Sequence, residues 1–269
     1  MTAEENLKAG RIDEALADAR DAVRKAPADV RLRRLLFQLL CVVGQWDKAL
    51  TQLNVLADMD ADSLLLARIF EPAVHCEAFR AQVFAGQRSP LIFGEPEEWV
   101  GLLVQANGLV AQGEFAASRE LRERAFEAAP ATPGEINGQA FKWLADADSR
   151  LGPVLEVILD GKYYWVPYSR IQAVQIEPPT DLRNLVWTPA NFVWTNGGEA
   201  PGFIPSRYPG SESCADAELK LGRKTAWDEK NPGLFLGTGQ RLLATNETEF
   251  PLLEVRKIAF APALAVPAT

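Results

Sequence analysis

DADSRLGPVLEVILDGKYYWVP (residues 146–167) sets three aspartates around two runs of strand formers, VLEVIL (154–159) and KYYWVP (162–167). Asp160-Gly161 separates the runs, and Asp-Gly at that spacing signals a tight β-hairpin because both central turn positions need positive φ. Alternation puts Tyr163 and Trp165 on one face of the second strand and Tyr164 and Val166 on the other. At least one face must be core, and aromatic side chains left on an open face would be interaction anchors. Asp146 and Asp148 admit two readings: metal or acid–base carboxylates, or turn residues that fix the entrance to a β module. The first makes the chain an enzyme, the second a binding protein.

The pattern continues downstream. AVQIEPP (173–179), FVWTNGGEAPGFIP (192–205) with a second hairpin at Asn196-Gly197, RKTAWD (223–228), GQRLLATN (239–246) and LLEVRKIAF (252–260) complete seven or eight short strands. Five of the seven tryptophans and all four tyrosines lie in this half. Short strands with turn signals between them predict a mostly antiparallel β barrel or a sandwich-like domain over residues 138–262. The tail PALAVPAT (262–269) is expected to fray.

Upstream the period changes. GRIDEALADA (10–19) aligns with GQWDKALTQL (44–53), pairing Gly10 with Gly44, Asp13 with Asp47, Ala15 with Ala49 and Leu16 with Leu50. The 34-residue step is that of the tetratricopeptide helix–turn–helix unit. GEFAASRELRERAFEAAP (113–130) repeats the second-helix pattern. Each Gly suits the left-handed turn that ends a first helix. Small Ala15, Ala22, Ala49 and Ala125 let helices approach, and Pro27 and Pro130 close second helices. Between the copies, SLLLARIFEPAVHCEAFRAQVFAG (63–86) reads as a helix interrupted or kinked near Pro72, and a further helix starts at Pro96. The expected architecture is α+β in two parts: a tetratricopeptide-like α-helical array over residues 1–131, then the β-rich domain. APATPGEING (129–138) is the candidate linker. Solenoid arrays of this kind commonly bind a peptide or helix.

The net charge is −8. Up to residue 131 there are 15 Lys+Arg against 20 Asp+Glu, and 13 against 16 beyond it, with no basic run in either part. A phosphate-tracking nucleic-acid interface is therefore not expected. No apolar run reaches membrane-spanning length, the N-terminus lacks the pattern of a secretory signal, and Cys41, Cys76 and Cys214 are odd in number and far apart. A cytoplasmic protein with reduced thiols is expected.

Known chemistry fits poorly. His75 is the single histidine, and its neighbour Cys76 points elsewhere on a helix, so the two do not form a nucleophile–base pair. GGEAPGF (197–203) has Phe203 where a phosphate loop needs lysine. From Asp146 a calcium loop would require an oxygen ligand where Arg150 stands and glycine where Leu151 stands. No cofactor and no catalytic or metal residue is assigned. Turn and ion-pair roles, with Arg150 as the local partner, are the better account of Asp146 and Asp148. The alternative is a metal-dependent carbohydrate- or nucleotide-acting enzyme using these aspartates, with Arg207 assisting and Tyr208 and the tryptophans stacking a sugar.

FKWLADADSRLGPVLEVILDGKYYWVPYSRI (141–171), EPPTDLRNLVWTPA (177–190), NGGE (196–199), FIPSRYPGSE (203–212) and LKLGRKTAW (219–227) together carry a specific likeness. In them the chain resembles the ImpE/TagJ family of type VI secretion accessory proteins. The resemblance implies a non-catalytic adaptor that binds the N-terminal helix of the small contractile-sheath subunit (TssB type) and is linked to the ClpV AAA+ unfoldase. It maps no contact residue. As partner-binding residues the sequence offers the aromatic and cationic side chains of the β half: Tyr163, Tyr164, Trp165, Trp187, Trp194, Arg207 and Tyr208.

Overall fold

The computed structural model describes residues 2–95 and 97–261. Seven helices come first: α1 (Ala3–Lys8), α2 (Ile12–Lys25), α3 (Val30–Val42), α4 (Trp46–Ala57), α5 (Ala61–Phe84), α6 (Glu98–Gln112) and α7 (Phe115–Ala128). The repeat is visible in the turns. Gly10, Gly44 and Gly113 follow α1, α3 and α6 with φ of +74°, +66° and +80°, values that side chains with a Cβ avoid. Asp29 caps α3 by accepting the amides of Arg31 and Leu32 at 2.8 and 3.2 Å, and Asp60 caps α5 through Ser63 at 2.7 Å. Ala15 and Ala49 are fully buried where helices meet.

The helical part departs from expectation twice. α5 runs unbroken through Pro72, and Pro72 lies against the β half: a Cβ added at Gly161 would come within 2.8 Å of its ring. A two-residue strand, β1 (Leu91–Ile92), interrupts the helices before α6 and pairs in parallel with a strand of the second half. The helix start at Pro96 and the fraying of residues 262–269 lie outside the described residues.

The second half holds β2 (Gly134–Ile136), β3 (Gln139–Phe141), β4 (Leu144–Asp146), β5 (Val154–Leu159), β6 (Lys162–Pro167), β7 (Ile171–Ile176), β8 (Trp187–Trp194) and β9 (Glu199–Pro205). The short α8 (Ala217–Lys220) follows, then β10 (Thr225–Asn231), β11 (Leu234–Gly239), β12 (Leu242–Thr245), β13 (Glu249–Pro251) and β14 (Lys257–Phe260). Strands outnumber the expectation because three-residue strands leave too short an alternation to read, and two predicted segments divide. The stretch 239–246 holds the end of β11 and the whole of β12, and 252–260 holds a 3-10 turn and then β14.

Nine strands form one open sheet in the order β1-β6-β5-β9-β8-β7-β14-β2-β3, with β13-β12-β4 and β10-β11 as smaller sheets. The arrangement is sandwich-like, and the large sheet does not close into a barrel. The candidate linker 129–138 contains β2, which pairs with β14.

The hairpin of β5 and β6 forms as read, with Asp160 at φ +47° and Gly161 at φ +69°. Its alternation explains the packing. Val154, Ile158, Tyr163 and Trp165 join the core shared with the helices, whereas Leu155, Val157, Leu159 and Val166 join a second core on the opposite face. Both faces of the hairpin are covered, so VLEVIL reads as a nearly continuous apolar run. Gly161→Ala is expected to destabilise the protein by about 1–2 kcal/mol, from the left-handed backbone alone, with the contact on Pro72 adding to it. Urea unfolding measures this, and an unchanged midpoint would show that the turn does not hold the hairpin against α5.

Candidate functional site

The sheet's double cover decides the fate of the predicted partner-binding residues. Tyr163, Trp165, Trp187, Trp194, Arg207 and Tyr208 are all buried, and Tyr164 is half-buried. They do not form an open aromatic face. Trp187 lies 6.0 Å from the Trp46 ring of α4 and 5.8 Å from Phe70 of α5, and its indole N–H donates to Glu77 at 2.9 Å. Trp194 stacks on Phe192 with centroids 5.1 Å apart and meets Phe93 at 4.2 Å. Arg207 donates to the carbonyls of Val42, at 2.8 Å, and Lys220, so it ties the end of α3 to the β half. Tyr163, Trp165 and Trp187 fill the seam between helices and sheet, while Trp194 belongs to the second core on the sheet's other face.

At that seam sits a buried ionic network. Glu156 projects from the middle of β5 toward α5, and Arg80 of α5 grips it with two N–H groups, Nε at 2.6 Å and Nη2 at 3.0 Å. The same guanidinium donates to the Arg207 carbonyl at 2.8 Å and reaches Glu77 at 3.4 Å. Arg241, preceding β12, donates to Glu156 and to Asp146 of β4, and its Nε bonds the Pro205 carbonyl at 2.9 Å. The Tyr163 hydroxyl donates to Glu156 and accepts the Trp165 indole N–H at 2.8 Å. Glu156 and Arg241 are completely buried. A buried charge needs this density of partners, because each ion loses its hydration.

Asp146 and Asp148 are absorbed by the same construction. Asp146 accepts the Asp148 amide at 2.9 Å, lies 3.1 Å from the Tyr208 hydroxyl, and pairs with Arg241. Asp148 accepts the amide and Nε of Arg150 at 2.8 and 2.9 Å and the Gly237 amide at 2.7 Å. Every carboxylate oxygen of the pair has a protein donor, which is the ion-pair reading of the sequence, with Arg150 serving Asp148 and the distant Arg241 serving Asp146. Among the described residues no group of three or more His, Cys, Asp or Glu side chains is placed to hold a metal ion. Cys76 donates to the Gly161 carbonyl at 3.3 Å, while His75 faces outward.

Glu77, Arg80, Glu156 and Arg241 were not singled out by the sequence reading. The available signal was charge out of pattern: one glutamate inside VLEVIL, and a Glu-x-x-Arg pair inside an apolar helix. The network's centre has two guanidiniums among three carboxylates. Burial would raise Glu156, but Arg80 and Arg241 outweigh it and hold the group down to about 2. Burial pushes Asp146 up to about 6 against the pull of Arg241, and burial raises Glu77 against Arg80.

The apolar surface left open lies elsewhere. On α5, Leu64, Leu65 and Ile69 are exposed, Leu65 by 60%, with Val55 exposed on α4. At 100° per residue Leu65 and Ile69 share a face and Leu64 borders it, with exposed Arg68 and Glu71 alongside. Phe126 and Trp143 flank a cavity of about 450 Å³ beneath the end of α7. No helix among the described residues is long and apolar enough to cross a membrane.

The comparisons with known proteins agree with this two-part construction. Residues 6–69 match the tetratricopeptide repeat model and residues 138–259 match the ImpE protein model. The Type VI secretion system accessory component TagJ of Pseudomonas aeruginosa is 46% identical over 262 residues, 97% of this chain and 92% of that protein. The chain belongs to the ImpE family. This ImpE protein also shares its whole architecture with the crystal structure of VPA1032 from Vibrio parahaemolyticus: the TM-score is 0.87 at 28% identity, covering 98% of each chain.

Two outcomes follow from the network. Arg241→Met leaves Asp146 and Glu156 short of a buried partner and is expected to cost about 3–5 kcal/mol, whereas Arg119→Met on the surface costs under about 1 kcal/mol. Denaturant unfolding separates them, and equal losses would refute the network's role. Glu156 has a depressed pKa, so its stabilising contribution is complete above its ordinary value of 4.5 and is lost as pH falls toward 2. Asp146 has the opposite sign: the fold binds its proton more tightly and gains stability as pH falls from about 6 toward 3.8. Stability is therefore expected to hold or rise from pH 6 toward 4.5 and then to drop, with a shallower drop in Glu156→Gln. An equally steep acid limb in that variant would place its origin outside the network.

Proposed function

We propose that this ImpE protein is a cytoplasmic, non-catalytic accessory adaptor of a type VI secretion system. In this reading it binds the N-terminal helix of the small contractile-sheath subunit (TssB type) and is linked to sheath recycling by the ClpV unfoldase. The observation that carries the proposal is the 46% identity, across 97% of the chain, to a protein named as a type VI secretion system accessory component.

The side-chain geometry supports binding over catalysis. Asp146 and Asp148, the carboxylates that an enzymatic reading would use, are already engaged by arginines and backbone amides. Partner capture needs exposed apolar side chains on a rigid support, and Leu64, Leu65 and Ile69 provide them on a helix clamped to the sheet through Arg80. An amphipathic helix with apolar residues at i, i+3, i+4 and i+7 has the matching pattern. Arg68 and Glu71 beside the stripe supply a polar rim that sets register.

The test is an anisotropy titration with a labelled N-terminal peptide of the cognate small sheath subunit. Saturable binding is expected, weakened by about tenfold or more in Leu65→Asp/Ile69→Asp while the melting temperature stays close to that of the parent. No binding at about 100 µM by folded protein, weaker than about 5 kcal/mol of affinity, would overturn the adaptor reading. Binding that ignores the double substitution would keep the adaptor and move its docking face away from α5.

A further inference from the structure

Helix α7 buries Ser118, Arg122 and Ala125. The Ser118 hydroxyl donates to the Ala106 carbonyl at 2.8 Å, so its burial is satisfied. Arg122 is 6% exposed and has no such answer. Its buried Nε lacks a hydrogen-bond partner, and the guanidinium forms no ion pair with any described residue. The other buried arginines, Arg80, Arg207 and Arg241, all donate to carboxylates or carbonyls. The acidic groups around Arg122 are engaged elsewhere: Glu123 pairs with Arg119 at 3.0 Å, and Asp148 accepts Arg150 and the Gly237 amide. Desolvation lowers the Arg122 pKa below the ordinary arginine value, against the pull of those two carboxylates. An enclosed cation in this condition is costly, and a carboxylate is the group that relieves it.

The Arg122 guanidinium carbon lies 5.6 Å from the centre of the Phe126 ring. That ring and Trp143, both partly exposed, line the cavity beneath the end of α7. Gly152, with φ +54°, leaves the ring its place, because a side chain there would collide with Phe126. The lining is mostly apolar, with Ala129, Pro130, Leu144 and Pro153 among its members, and about 450 Å³ has room for one aromatic or branched side chain. Asp146 is the single charged residue in that lining, and its oxygens already accept from Arg241, Tyr208 and the Asp148 amide. The unanswered charge beside the cavity is therefore positive.

We propose that Arg122, Phe126 and Trp143 form a docking site for an acidic peptide segment. One aromatic or branched apolar side chain enters the cavity, and a neighbouring carboxylate pairs with the Arg122 guanidinium. Charge complementarity selects this occupant, since a carboxylate accepts two parallel guanidinium N–H groups and a neutral or basic segment offers no such match. Only Nε of Arg122 is enclosed, so its terminal nitrogens stay within reach from outside. Phe126 borders both the cavity and the guanidinium, and one short peptide can serve both. The site shares no residue with the Leu64, Leu65 and Ile69 stripe of α5, so the inference stands apart from the adaptor reading.

The experiment titrates the nitrogen-labelled full chain with two capped peptides, acetyl-Asp-Phe-Asp-amide and its neutral counterpart acetyl-Asn-Phe-Asn-amide. The acidic peptide is expected to shift the NMR signals of the Trp143 indole and the Arg122 Nε–H saturably, with the neutral peptide at least about tenfold weaker. In Arg122→Gln the two peptides are expected to bind alike, and in Trp143→Ala both weaken by about tenfold. Free Arg122→Gln is expected to melt no lower than the parent, because the substitution removes a charge that has no partner. A clear fall in its melting temperature would reveal an internal role for the guanidinium and overturn the proposal. Equal affinity of the parent for both peptides overturns it too, as does a preference for the acidic peptide that survives in Arg122→Gln. No shift at Trp143 up to about 10 mM peptide has the same force. Loss of binding in Leu65→Asp/Ile69→Asp would place the peptide on α5 and likewise refute the site.

Discussion

Glu156 is the constraint around which the protein is arranged. A carboxylate at the centre of a strand covered on both faces has no route to water, so its charge must be met from within. Arg80 meets it from the helices and Arg241 from the β half. These two guanidiniums approach from elements far apart in sequence, and neither can relax without uncovering the other's partner. The pair arrangement fixes where α5 lies on the sheet. A purely apolar contact would hold the same layers together with less insistence on angle and register.

The aromatic residues act in the same place with a different physics. Trp187, Trp46, Phe70 and Phe203 fill the junction of α4, α5 and the sheet, and Arg183 lies over the Phe70 ring at 4.6 Å. Buried side chains of the helices and of the hairpin form one continuous cluster. Helical repeats normally require neighbours or polar caps to finish their stack. Here the sheet supplies the neighbour, and the long α5, with Cys76, Glu77 and Arg80 on its inner side, is the surface that accepts it.

Local chemistry was legible in the sequence wherever one residue type answers one backbone need. The 34-residue step, the left-handed glycines, the Asp-Gly turn and the alternation of Tyr163 with Trp165 all survive into the structure because each depends on near neighbours. The use of the aromatics was not legible. Tyr163, Trp165, Trp187 and Tyr208 look the same in sequence on an exposed face and in a covered seam, and only the second cover of the sheet decides between them. The Asp146–Arg241 pair was hidden for the same reason: its members are 95 positions apart and meet through the pairing of β4 with β12. Pro72 misled in the other direction: α5 continues through it, with the ring set against the hairpin turn.

This division of labour bears on how a partner would be recognised. Charge and aromatic surface, the usual material of an interface hot spot, are largely enclosed at the seam. The apolar side chains that remain outside on α5, Leu64, Leu65 and Ile69, sit on the helix whose opposite side is bound by Arg80 and capped at its start by Asp60. A helix docking there, as proposed, would meet a surface already held in place by the packing of α5 and would cost that surface little freedom. The buried ions specify no ligand themselves. They hold one helix still, and an exposed stripe on a helix held still is a better template for another helix than the same stripe on a free one.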